Sequence, residues 1–300
     1  MKKIFLISSV TAVILGLFTA CSEDRLLPEA KPTNGNQGGE EPVLSLEPAA
    51  CNNKIVAHRG GSSECGSPDN SIASLKYAMS LKLYASECDI YWTKDNNIVV
   101  AHADGDCKIN GLFPWQATLA EIRAAGRLKN GESVPCLEDF LSTVMVEGNC
   151  TKLWLDIKNI TNHADYSSKS VERACEIIKA AHAEKFCEFI CTGNTTVATA
   201  AVNCQVIYGI PVGWMASSAP STHISKGFRW TNLSTEYMCA AGGGTGTYTV
   251  DQFVNAGLEF SVFNVDKSFS NEVVNWYVSN YPKMKAICTN YPKWLLEKVQ

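Results

Sequence analysis

The chain has 300 residues, 46% of them hydrophobic and 19% charged, and a formal net charge of -4. That charge balance excludes a nucleic-acid binder, which calls for a basic stripe. The length suits one large core, and an α/β barrel uses about 250 residues as a single domain.

The N-terminus reads as an export signal: Lys2-Lys3, a mostly apolar run from Ile4 to Phe18, then Thr19-Ala20-Cys21. The run is short for a stable membrane span. A small residue before Cys21, with Ser22-Glu23-Asp24 after it, resembles a bacterial lipobox. The expectation is a lipoprotein signal peptide over residues 1–20 and lipid on Cys21. That places the protein in the bacterial cell envelope, lipid-anchored at the outer membrane or cell surface. Residues 21–50 are rich in Pro, Gly, Asn, Gln and Glu with few large apolar groups, and are expected to be a disordered tether. The folded domain is expected over 51–300.

Within it, apolar β-rich runs alternate with helical patterns, the signature of a parallel sheet with crossover helices. The runs are Lys54–Ala57, Tyr84–Tyr91, Lys152–Ile157, Cys187–Cys191, Val206–Ile210, Arg229–Leu233, Glu259–Asn264 and Ala286–Thr289. Ile98–His102 reads as the return arm of a hairpin after the second run, and Gly105–Pro135 as an insertion. Eight such units predict a TIM (β/α)8 barrel with a hairpin and insertion after the second strand. Asn70 is a candidate N-cap for the first helix, with Thr249 and Ser268 or Ser270 for later ones.

Of the 13 cysteines, setting Cys21 aside leaves an even number in an exported chain, so disulfides are permitted. Cys65 and Cys107, both in loops at one end of the predicted barrel, are the first pair to expect. Cys88 falls inside a strand and reads as a small buried residue. No C-x-x-C pair argues for zinc.

Chemistry-bearing residues gather at the ends of the early strands. His58-Arg59-Gly60 closes the first run, Pro68-Asp69-Asn70-Ser71 follows, Glu87-Cys88-Asp89 ends the second, and His102 closes the hairpin. Glu87 and Asp89 are two apart, so on a strand both point to one face; Asp156 and Lys158 repeat that spacing on the next barrel strand. Carboxylates brought this close need a cation or protons between them, and oxygen-only ligation suits Ca²⁺ or Mg²⁺. Two histidines offer proton transfer near neutral pH; Arg59 and Lys158 offer positive charge for phosphate oxygens.

This series resembles the glycerophosphodiester phosphodiesterase family, whose pattern runs H-R-G, P-E-N-S/T, E-x-D and H-D. The resemblance continues through Val134–Leu141, Leu155-Asp156-Ile157-Lys158 and Ile287-Cys288-Thr289-Asn290-Tyr291-Pro292. Asp69 and Asp156 stand where the family usually has Glu, Ala103 follows His102 where it has Asp, and Asn290 replaces its usual Asp. The resemblance implies a phosphoric diester hydrolase with one divalent metal on Glu87, Asp89 and Asp156, and His58 and His102 as acid and base. It implies Arg59, Asp69, Asn70 and Lys158 around the phosphate, and Phe263 against the alcohol part of the substrate. Trp92, Trp115, Trp214 and Met215 are further candidates for that wall. Glycerophosphodiesters would give glycerol 3-phosphate and an alcohol. Two alternatives share the barrel: a phospholipase of the phosphoinositide or sphingomyelinase D type, and a surface binding protein without turnover.

Overall fold

The computed structural model describes residues 46–160, 162–192, 194–240 and 244–300. The signal peptide, Cys21 and the tether up to residue 45 lie outside the described residues. Leu46 to Ala50, placed by composition in the tether, are docked on the barrel: Leu46 packs on the core and the Ala49 backbone N–H donates to Asn149 O at 2.8 Å.

Among the described residues nine strands form one sheet: β1 Ile55–Ala57, β2 Ala85–Trp92, β3 Ile98–Val100, β4 Lys152–Ile157, β5 Cys187–Thr192, β6 Val212–Met215, β7 Trp230–Ser234, β8 Glu259–Phe263 and β9 Ala286–Thr289. β3 pairs antiparallel with β2 as the hairpin arm. The other eight are parallel and close into a barrel through the β1–β9 and β1–β2 pairings. The described residues also form ten α-helices: α1 Ser62–Cys65, α2 Ile72–Ser80, α3 Leu119–Ala125, α4 Leu137–Val144, α5 Ala164–Ala180, α6 Thr195–Tyr208, α7 Pro220–Ser225, α8 Val250–Asn255, α9 Asn271–Asn280 and α10 Pro292–Val299. No helix among the described residues is long and apolar enough to cross a membrane.

The strands are buried on both faces, as parallel strands between helices and a filled barrel must be. Outward residues such as Leu153, Leu155, Phe189 and Cys191 pack on the helices. Inward residues Val56, Trp154, Ile190 and Trp230 fill the barrel, with the two indole rings 4.8 Å apart. A Cβ on Gly213 would stand 2.7 Å from the Trp230 ring, so β6 carries glycine where that indole crosses the interior.

Three expectations are corrected. The sixth strand is Val212–Met215, not Val206–Ile210; Val206 and Ile207 belong to the last turn of α6. Gly209, at φ 70°, ends that helix in the left-handed conformation that glycine accepts. Pro211 then precedes the strand. Ser71, not Asn70, caps α2, accepting from Ser74 N, while Thr249 and Ser270 cap α8 and α9 as read. Among the described residues Cys65 and Cys107 are unpaired, and a disulfide joins Cys175 to Cys204. The outer helices α5 and α6 pack side by side and bring those Cα atoms to 6.7 Å, within reach of a disulfide.

Candidate active site

The site is built on the C-terminal ends of β1, β2, β4 and β9. After β1 the chain turns sharply through His58–Gly60, with Arg59 at φ 50° and Gly60 at φ 84°. A Cβ on Gly60 would lie 2.3 Å from Ser74 Oγ, so only glycine lets this turn sit against the start of α2. The turn brings Arg59 across the end of β2. Its backbone N–H donates to Glu87 Oε2 at 2.9 Å, and its guanidinium reaches Asp69 Oδ2 at 3.1 Å and Asp89 Oδ2 at 3.3 Å. Asn70 is buried and locks β2 from the other side. Its amide donates to Asp89 Oδ2 at 2.8 Å, and its carbonyl oxygen accepts from Asp89 N at 3.0 Å. That pairing holds Asn70 at φ 56° and leaves helix capping to Ser71.

Asp89 and Asp156 are register partners on β2 and β4, and Glu87 lies two residues back on the same inward face. The three carboxylates are buried, with one oxygen of each within 4.8 Å of the others. Lys158 Nζ lies 2.6 Å from Asp89 Oδ1 and also contacts Asp156 Oδ2. Even so, Glu87 Oε1 and Asp156 Oδ1 are buried without a hydrogen-bond partner. Burial, then the charges of Asp89 and Asp156, push the Glu87 carboxyl well above its usual range. Burial also raises Asp156. For Asp89, burial acts upward, but Lys158 and Arg59 outweigh it and hold the group low. Orphaned carboxylate oxygens converging in a buried space fit a hard divalent cation, which would satisfy them and relieve their repulsion.

The two histidines differ. His58 Nδ1 lies 2.6 Å from Asn290 Oδ1, and Nε2 lies 3.8 Å from Glu87 Oε2. With the Asn290 oxygen as acceptor, Nδ1 carries the proton and Nε2 presents its lone pair to the site. Burial and then Arg59 lower its pKa. His102 is exposed at the rim, its pKa also lowered by burial, with Asp89, Arg59, Lys158 and Asp69 all close enough to affect its titration.

The structure therefore gathers His58, Arg59, Asp69, Asn70, Glu87, Asp89, His102, Asp156 and Lys158 in one mouth. Phe263, at the end of β8, half-buried on the interior cluster, is at the same end of the barrel, as is Met215 at the end of β6. Trp214 is excluded: it points outward and stacks on Phe228 at 5.0 Å. Trp92 and Trp115 stack with Tyr166 in the cluster under the insertion. Asn290 is the member that the sequence reading did not place in the site; its position directly after the last strand was the available signal.

A family model described as the glycerophosphoryl diester phosphodiesterase family matches residues 58–293. The chain belongs to that family. Among its relatives, the glycerophosphodiester phosphodiesterase of Caldanaerobacter subterraneus subsp. tengcongensis is 35% identical over 98 residues, 30% of this chain and 40% of that protein. The curated relatives that it matches are spanned over only 38 to 40% of their length. The fold is similar to that of a crystal structure of a glycerophosphodiester phosphodiesterase from Parabacteroides distasonis, with TM-score 0.67 and 22% identity over 84% of this chain and 98% of that one. It is also similar to an Oleispira antarctica phosphodiesterase in complex with its product sn-glycerol-3-phosphate, with TM-score 0.63 and 17% identity over 82% and 96%.

Proposed function

We propose that this chain is a metal-dependent phosphodiesterase that converts glycerophosphodiesters to glycerol 3-phosphate and an alcohol. The observation that carries this reading is the trio of buried carboxylates, two of them with orphaned oxygens, set between Arg59, Lys158 and two histidines in the family's order. Glu87, Asp89 and Asp156 are the residues to hold one divalent ion, Ca²⁺ or Mg²⁺; when bound, it supplies Lewis-acid stabilisation of charge on the phosphoryl group. Arg59 and Lys158 add fixed positive charge, Arg59 held in place by Asp69 and Asp89. His58, its tautomer held by Asn290, takes through Nε2 the proton of the substrate's own glycerol hydroxyl as it attacks phosphorus, and water then opens the cyclic phosphate to glycerol 3-phosphate. His102, at the rim, protonates the departing alcohol oxygen. Phe263 packs on the glycerol carbons. Asn290 accepts from His58 without adding a negative charge, which fits a neutral imidazole acting as base.

The proton-transfer roles separate on a leaving group that needs no acid. His58→Ala and His102→Ala should each lower kcat on a natural-type diester by roughly 10²–10⁴-fold. On glycerol p-nitrophenyl phosphate His102→Ala should recover most of its rate and His58→Ala should not. Near-wild-type rates for both variants on the natural-type diester refute the pair.

We propose separately that the protein is a lipoprotein of the bacterial envelope, anchored through Cys21. Its support is the sequence series from Lys2 to Cys21. Cys21→Ala should release the chain to the soluble fraction or block its processing. A variant that is processed normally and stays wholly in the detergent phase contradicts the anchor.

A further inference from the structure

A second concavity opens beside the carboxylates, a cleft of about 1060 Å³ between the Ser62–Asp69 segment and the insertion. That is at the upper end of the roughly 300–1,000 Å³ typical of ligand pockets and far more than a glycerol fills. His102 and Asp69 line it, so it starts at the group assigned to protonate the leaving oxygen.

The lining carries Lys108, Arg127 and Lys129 against Asp69 and Asp104. Both acids are engaged within the protein. Asp69 accepts from Arg59 and from Ser62 Oγ. Asp104 Oδ1 accepts the backbone N–H groups of Asp106 and Lys108 at 3.0 and 2.8 Å. Lys108 Nζ lies 3.6 Å from Asp106 Oδ2, while the other two cations are freer. Arg127 Nη1 donates to Gly131 O and Ser133 Oγ, and among the described residues neither Arg127 nor Lys129 has a carboxylate partner. No aromatic ring is among the described lining residues. A quaternary ammonium is held by aromatic faces, and an anion by unpaired Arg and Lys.

We infer that this cleft takes the leaving-group half of the substrate and selects an anionic polyol, a hydroxyl-bearing head-group with a phosphate of its own, over choline-like head-groups. This rests on the phosphodiesterase reading above. The hydroxyls of Ser63 and Ser67 supply the neutral part of such recognition, and Arg127 and Lys129 the charged part.

The test measures kcat/KM of the full chain on glycerophosphoinositol 4-phosphate, glycerophosphoinositol and glycerophosphocholine, for wild type and the Arg127→Glu/Lys129→Glu double variant. The wild type should prefer the phosphorylated diester to the choline diester by roughly tenfold or more, with the unphosphorylated inositol diester between them. The double variant should lose that preference while its choline rate stays within about twofold, and high salt should shrink the preference in the wild type. Equal wild-type rates on the two inositol diesters, a choline rate as high as the phosphorylated one, or an equal loss on all three in the variant overturns the inference. If the folded wild type cleaves none of the three, the phosphodiesterase reading itself fails, and the inference falls with it.

Discussion

The two ends of the barrel hold buried glutamates in opposite circumstances. At the N-terminal end of the strands, Glu188 is 1% exposed, and every strong donor near it is used. Tyr84 Oη and Trp154 Nε1 donate at 2.8 Å, Lys152 Nζ at 3.0 Å, and Lys285 Nζ lies 3.5 Å away. Burial acts against its charge, but Lys285 and Lys152 outweigh burial and lower its pKa. At the C-terminal end, Glu87 is 2% exposed, one of its oxygens has no partner, and its pKa is pushed up. The first arrangement is complete and serves the fold. The second leaves a carboxylate oxygen open, which a cation or a proton would complete, and that open valence is how a candidate binding site differs from a structural ion pair of equal burial.

The largest effect that separates the ends is on turnover. Glu87→Gln keeps the shape and removes a ligand charge, and should lower kcat by about 10³-fold or more, since metal assistance contributes several kcal/mol. Its thermal midpoint in metal-free buffer should hold or rise. Asp89→Asn should lose activity too, but it also takes one carboxylate partner from each of Lys158 and Arg59, so a lower midpoint should accompany it. A fully active Glu87→Gln would erase the distinction.

Glu188→Gln should do the reverse. Removing one partner of a buried ion network costs about 3–5 kcal/mol, so the urea midpoint should fall sharply while kcat at low temperature stays near wild type. A silent Glu188→Gln would make the lower network dispensable.

Acidity should act on the ends with opposite sign, more weakly. Glu87 binds its proton more tightly when folded, so in metal-free protein its contribution is present at low pH and is lost as pH rises from about 4.5 to its raised folded value. Glu188 contributes above about 4.5, and that contribution is lost as pH falls through its lowered folded value. Urea midpoints across the acid range should lose the first slope in Glu87→Gln and the second in Glu188→Gln. Identical profiles for the two variants would contradict the assignment.

The upper end was far more legible in the sequence than the lower. Glu87 and Asp89, and Asp156 and Lys158, are each spaced two apart on neighbouring barrel strands, so chain order alone puts them on one inward face. Glu188 lies near the start of its strand, and its donors come from β4 (Trp154) and from the residues just before β2 and β9 (Tyr84 and Lys285), so only barrel closure assembles them. The sixth strand was misplaced because Val206-Ile207-Tyr208 is equally apolar as helix or strand; the nearby Gly209 and Pro211 were the deciding signals. Asn70 was read as a cap from local pattern and, through the family resemblance, as part of the site; the cap falls to Ser71, and the partner Asp89 is 19 residues away. The Cys175–Cys204 disulfide depends on two outer helices packing together, which no spacing rule specifies.

The most direct test is release of sn-glycerol 3-phosphate from a glycerophosphodiester by the folded chain, before chelation, after exhaustive EDTA treatment, and after readdition of Ca²⁺ or Mg²⁺, with Glu87→Gln in parallel. The account predicts product from the wild type, its loss on chelation, its return with one of the two ions, and none from the variant under any condition. Full turnover after chelation, or from Glu87→Gln, would contradict it.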